Sequence, residues 1–143
     1  MNVSKEELNE FAKQFVAQLP SEAGEHAYAV GLRGDLGAGK TAFVQEVAHV
    51  LGVRENVSSP TFVIAQVYTT AHPLFTTLVH IDAYRLSSEE SDTIGFVDHY
   101  RSPHTLMLIE WPDNLPDTLT VKQEMPILNF RTIDSTTRDI SYA

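Results

Sequence analysis

The stretch Gly34-Asp35-Leu36-Gly37-Ala38-Gly39-Lys40-Thr41 decides the fold of this 143-residue chain. It fits G-x-x-x-x-G-K-[ST], a phosphate-binding loop, and stands between an apolar run, Tyr28 to Leu32, and a helical pattern, Phe43 to Leu51. Strand, glycine-rich turn and helix in that order open a parallel α/β sheet. The glycines let backbone N–H groups turn inward around phosphate oxygens, and the helix presents its positive end to the same anion. Gly34, Asp35, Leu36, Gly37, Ala38, Gly39, Lys40, Thr41 and the adjoining Ala42 are therefore the expected nucleotide contacts. Lys40 is placed to reach the β- and γ-phosphates, and the Thr41 hydroxyl to sit on Mg²⁺.

Upstream of the loop, Leu8, Phe11, Ala12, Phe15, Val16 and Leu19 recur at helical spacing and predict an amphipathic helix over 3–19. Ser4 and Glu7 form a capping box, with Val3 and Leu8 placed as a hydrophobic staple. Downstream, Val57 to Thr61 is a loop running into a β-branched stretch, Phe62 to Tyr68. Thr77 to Asp82 and Thr105 to Glu110 are apolar strands, each ending in a carboxylate, with a second capping box at Ser87 and Glu90 starting a short acidic helix through about Ile94 between them. Two prolines make Trp111 to Pro116 a loop. Val121 to Phe130 and Ile133 to Tyr142 read as two closing strands, and Pro126 places the first at a sheet edge. The expected fold is a single P-loop NTPase-like α/β domain over 1–143: a mostly parallel sheet flanked by helices, with antiparallel strands at its C-terminal edge.

A phosphate loop needs an acid to hold its metal, because Mg²⁺ takes one or two carboxylates with phosphate oxygens and water. Ligands of open α/β sheets bind beyond the carboxyl ends of the strands. Asp82 and Glu110 both stand at such ends. Spacing alone does not say which touches Mg²⁺ and which positions water. Thr61, in the loop after the first helix, is a further candidate for the metal or the γ-phosphate. Trp111 is either a lid on the sheet edge or a neighbour of the nucleotide, and Arg85 a partner contact or a surface charge. Asp92-Thr93-Ile94-Gly95 matches D-x-x-G, but it lies in an acidic helical stretch and no N-K-x-D accompanies it. Guanine is not specified, and adenine is the default.

Composition narrows the class of function. Ten Lys and Arg against nineteen Asp and Glu give a net charge of −9 with no basic run, which argues against strong direct nucleic-acid binding. Without cysteine there is no disulfide or thiolate chemistry, and the six histidines show no metal-ligand spacing. MNVSKEELNE is too polar for a signal peptide, and no apolar run approaches the ~20 residues of a membrane span. A cytoplasmic protein without a membrane partner is expected.

Taken together, GDLGAGKT, SSPTF, HIDAYRL and LIEWP, in this order and spacing, resemble the TsaE family, also called YjeE. These are small bacterial ATPases required for the threonylcarbamoyl-adenosine modification of tRNA beside the anticodon. The similarity runs from about Tyr28 to Pro116. The resemblance implies that the loop binds ATP, that Thr41 and Glu110 hold Mg²⁺, that Asp82 is the acid needed for hydrolysis, and that Trp111 lies by the nucleotide. Asp82, Lys40 and Thr61 are thus the residues expected to act on the transferred phosphate. It also implies work with a TsaB–TsaD heterodimer, which carries out the transfer to tRNA and is reset by ATP hydrolysis. This chain would then meet tRNA only indirectly. Two departures from the family pattern are Ala42, where a second hydroxyl is usual, and Ser58, where a lysine is frequent. Against this stand a small-molecule kinase, for which the chain lacks an arginine-rich lid, and a nucleotide-controlled docking switch without catalysis.

Overall fold

The computed structural model describes residues 1–55, 57, 65–84 and 94–143. Its elements run β1 (Asn2–Ser4), α1 (Leu8–Ala17), β2 (Tyr28–Arg33), α2 (Lys40–Val50), β3 (Ala65–Thr69), β4 (Thr77–Asp82), α3 (Ile94–Tyr100), β5 (Thr105–Glu110), a 3-10 turn (Pro112–Asn114), α4 (Val121–Glu124), β6 (Ile127–Thr132) and β7 (Thr137–Tyr142). The strands form one sheet in the order β1-β7-β6-β2-β5-β4-β3. β6, β2, β5 and β4 are parallel and central, whereas β3 on one side and β7 with β1 on the other are antiparallel.

Alternation along the central strands feeds two cores. Val30, Leu32, Leu78, Leu106, Leu108 and Leu128 face α1 and α2, where they meet Phe15, Phe43, Val44 and Val47. Ala29, Val79, Ile81, Met107 and Ile109 face the other way, against Phe96 of α3, Leu115 and Val121. Strands buried on both faces need continuous apolar runs, and TLMLI in β5 meets that need. α2 ends at Gly52, whose φ of +80° lets the chain reverse. Gly52 N–H donates to His49 O (3.1 Å) and Val53 N–H to Ala48 O (2.9 Å), the two bonds of a Schellman cap.

The parallel centre, the flanking helices and the antiparallel C-terminal strands match the expectation from sequence. Three local expectations are corrected. The predicted 3–19 helix begins only at Leu8, because residues 2–4 pair with β7 instead. The Ser4–Glu7 capping box does form, with Ser4 N–H donating to Glu7 Oε1 (3.1 Å) and Glu7 N–H to Ser4 Oγ (3.2 Å). The predicted strand from Val121 is a helical turn up to Glu124, and the strand starts at Ile127. That strand is interior, between β7 and β2, not at an edge. Pro126 is tolerated because it precedes the ladder and only its carbonyl is used, accepting from Gly31 N–H (2.9 Å). Residues 112–114 of the expected loop form the 3-10 turn. Residues 62–64 of the predicted strand and the Ser87–Glu90 capping box lie outside the described residues.

Candidate functional site

The loop between β2 and α2 lies at the carboxyl end of the central strand. Gly37 and Gly39 have φ of +78° and +99°, a region that costs any residue with a Cβ, and nothing stands within 4 Å of a Cβ added at Gly37. The helix start is prepared for an anion. Among the described residues no side chain caps α2 at Gly39, and no acidic residue occupies its first turn, so the first N–H groups and the positive end of the helix remain available. Asp35 and Leu36 are exposed, Leu36 at 69%, while Ala38 is buried beneath the loop and Ala42 is exposed at its rim.

Lys40 is only 4% exposed. Its Nζ donates to Gly34 O and, at 3.1 Å, to Asp35 O, and lies 4.0 Å from the centre of the Trp111 ring. Burial holds the ammonium below the ordinary lysine range, against the pull of Glu110, Asp82 and Asp35. Trp111 follows the end of β5 in a left-handed conformation, φ 59° and ψ 54°, which is strained for a non-glycine residue. Several bonds fix it there. Trp111 N–H donates to Leu32 O (3.2 Å), Asn114 Nδ2 to Ala83 O (2.9 Å) and Tyr84 O (3.1 Å), and Arg33 grips Asp113 through two bonds of 2.8 Å. Tyr84 packs against the indole with ring centres 5.0 Å apart.

The two strand-end carboxylates are neighbours, Asp82 pairing with Glu110 across β4 and β5. They differ in environment. Glu110 is 3% exposed and accepts from Thr41 Oγ1 at both oxygens, 3.1 and 3.0 Å. Asp82 is half-buried and accepts from Tyr84 N–H (3.0 Å), leaving oxygen capacity toward the cavity it lines. That cavity, about 400 Å³, runs from Asp82, Glu110 and Trp111 across the loop to Val3, Phe130 and Ile140. Lys40, Thr41, Asp82, Glu110 and Trp111 are thus brought together. Thr61, the rest of SSPTF, Arg85 and Asp92-Thr93 lie outside the described residues.

A divalent cation fits this donor set only as part of a nucleotide complex. Among the described residues no cluster of three or more His, Cys, Asp or Glu exists that would cage an ion without a ligand's help. A hydroxyl and a carboxylate 3.0 Å apart are hard oxygen donors of the kind Mg²⁺ takes when phosphate oxygens and water complete its octahedron.

A family model described as "Threonylcarbamoyl adenosine biosynthesis protein TsaE" matches residues 2–140. The chain belongs to the TsaE family. Its TsaE relatives include the "tRNA threonylcarbamoyladenosine biosynthesis protein TsaE" of Rickettsia prowazekii (strain Madrid E), 41% identical over 82% of this chain and 76% of the relative. The protein of the same description from Bacillus subtilis (strain 168) is 35% identical over 73% of this chain and 63% of its own length. Among solved structures, one titled "Crystal structure of Bacillus subtilus YdiB" superposes with a TM-score of 0.65, at 25% identity, over 99% of this chain and 83% of the other. TsaE proteins have their role in tRNA threonylcarbamoyladenosine biosynthesis.

Two residues of this TsaE-family site escaped the sequence analysis. His80 is fully buried, and its Nε2 lies 2.5 Å from Glu110 Oε2, so the carboxylate is held from behind as well as by Thr41. With a carboxylate as partner, Nε2 carries the proton, and Nδ1 has no hydrogen-bond partner among the described residues. The available signal was a histidine two residues before a strand-end aspartate, hence on the same face of the sheet. Arg138, on β7, donates to Gly37 O (3.2 Å) from outside the loop. Nothing in its polar, alternating stretch marked it. Among the described residues, no helix is long and apolar enough to cross a membrane.

Proposed function

We propose that this chain is the ATP-binding and ATP-hydrolysing component of the tRNA threonylcarbamoyladenosine machinery, acting with a TsaB–TsaD-like heterodimer in the cytoplasm. One observation carries it: the glycine loop, the uncapped start of α2 and the Thr41–Glu110 pair converge on a single cavity. The loop N–H groups cradle the phosphates, and Lys40 turns its ammonium from the loop carbonyls to the β- and γ-phosphates. Thr41 and Glu110 would hold Mg²⁺, and the ion, when bound, would supply charge neutralisation at the phosphate oxygens. Asp82 orients the attacking water and accepts its hydrogen bond as the new bond to the γ-phosphorus forms and the bond to the bridging oxygen breaks. Thr61 is assigned to the γ-phosphate on its sequence position alone. Trp111 covers the Lys40 side of the site.

Catalysis of this kind is positioning and charge stabilisation, so a lone chain is expected to be slow and its partners to complete the site. The net charge of −9 suits this division, with the partner rather than this chain holding tRNA. The test uses Lys40→Ala and Asp82→Ala. Lys40→Ala loses ATP binding in equilibrium titration, whereas Asp82→Ala binds ATP but releases no phosphate. Each variant is then placed in cells whose own copy is removed, and tRNA nucleosides are measured by mass spectrometry. Binding and turnover unchanged in both variants, or a modification level independent of this chain, would overturn the proposal.

A further inference from the structure

A phosphate cradle points its N–H groups inward and leaves the intervening carbonyls to water or to other donors, and a side-chain donor fixes their orientation where water does not. Here the Gly34 and Asp35 carbonyls are served by Lys40 Nζ, and the Gly37 carbonyl by Arg138 Nη2 at 3.2 Å. The two donors are not equivalent. Lys40 must release its carbonyls to reach a phosphate. Arg138 need not, because it is anchored from behind: Nη1 donates to Asp134 O (2.8 Å) and Thr137 O (3.1 Å), both in the β6–β7 hairpin. Its stem runs past Gly39, where an added Cβ would sit 3.7 Å from Cγ. The same hairpin presses on the start of the loop, since a Cβ on Gly34 would lie 2.5 Å from Phe130 O. Among the described residues the buried Nε has no hydrogen-bond partner, and the guanidinium is held by the carbonyls of Gly37, Asp134 and Thr137.

We propose that Arg138 is a positioning residue for the nucleotide's phosphates: it pins the Gly37 carbonyl outward and keeps the cradle formed while Lys40 serves the ligand. A lysine cannot replace it fully, because a single ammonium does not span Asp134, Thr137 and Gly37 as a planar fork does. This rests on the nucleotide reading above, and the ligand class is a nucleoside di- or triphosphate.

The experiment compares the parent, Arg138→Ala, Arg138→Lys and, as a control on the same hairpin, Arg131→Ala, whose guanidinium is exposed and contacts only Asp139 among the described residues. Dissociation constants for ATP, ADP and AMP, kcat at saturating ATP, and the melting temperature without nucleotide are measured for each. Arg138→Ala weakens ATP and ADP by about tenfold, as expected for one charge-assisted hydrogen bond, and AMP, which lacks the β-phosphate, by less than about twofold. kcat stays within about twofold once ATP saturates, Arg138→Lys recovers part of the affinity, and Arg131→Ala matches the parent. A purely structural role lowers the melting temperature but leaves the ADP-to-AMP preference unchanged, and that result overturns the proposal. Should Arg138→Ala fail to fold, the same comparison of ADP with AMP is made on Arg138→Lys. A parent that binds neither ATP nor ADP removes the underlying nucleotide reading, and this proposal with it.

Discussion

Replacing His80 with leucine tests what holds Glu110 in place. The change removes the donor at 2.5 Å from a carboxylate that is 3% exposed and leaves Thr41 Oγ1 as its remaining side-chain partner among the described residues. A hydrogen bond to a buried charged group contributes about 1.5–3 kcal/mol. The loss is partly offset: Nδ1 is buried without a partner among the described residues, and its removal returns about 1 kcal/mol of desolvation. Leucine fills a similar volume, so little cavity is added. The net destabilisation is about 1–2 kcal/mol, which for a chain of this size lowers the melting temperature by roughly 3–10 °C. His80→Gln keeps an N–H near the Nε2 position and recovers at least half of that. Calorimetry on His80→Leu, His80→Gln, Glu110→Gln and the double variant His80→Leu/Glu110→Gln measures the coupling directly. Once Glu110 is a neutral amide the donor matters less, and the leucine penalty shrinks by about 1 kcal/mol. Leucine melting within about 1 °C of the parent, or glutamine as damaging as leucine, would refute this account of the pair.

The lowered Lys40 pKa gives a pH dependence of ligand affinity: phosphate needs the ammonium, so ATP affinity falls as pH rises through a value below the ordinary lysine range of about 10.4. Titrations across alkaline pH should show that loss, and Lys40→Arg, which stays charged, should remove it. The sign for folding is opposite, since the unfolded chain binds more protons than the native one between the two pKa values and this group's contribution to stability rises with pH there. Arg33 holds the Asp113 carboxyl below the usual range, so its stabilisation is present above about pH 4 and is lost as pH falls through the lowered value. Asp113→Asn therefore flattens the acid limb of a stability-against-pH curve, by about 0.5 kcal/mol for so exposed a pair. Gly52→Ala combines a φ of +80° with a Cβ 2.8 Å from that of Ala71 and costs about 2 kcal/mol in denaturant unfolding, whereas Gly24→Ala, with nothing within 4 Å, is near neutral.

The centre of the fold was legible because its signals are local. Glycine spacing fixes the loop, and apolar runs ending in Asp82 and Glu110 fix the strands whose carboxyl ends border the cavity. What escaped was set by partners distant in sequence. Val3 belongs to a helix by its spacing to Leu8, yet it pairs with Arg138 in β7, which no local pattern announces. Val121 to Glu124, one apolar residue followed by three polar ones, carries no strand alternation of its own, and it turns as a helix to bury Val121 and bring Lys122 onto the carbonyls of Asp113 (2.9 Å) and Leu115 (2.7 Å). His80 was dismissed with the other histidines because metal spacing counts neighbours along the chain, whereas its partner lies on the next strand. Arg138 shows no motif at all, since its work is done on a backbone carbonyl.

The seam between β1 and β7 sets an order in time. Asn2 leaves the ribosome long before its ladder partner Asp139, so β1 stays unmatched while α1, the central strands and β6 are made. Val3 and Lys5 of that region line the cavity beside Arg138. The chamber is walled off only once β7 has been made, and a nascent chain halted before Thr137 carries the glycine loop without the flank that encloses it.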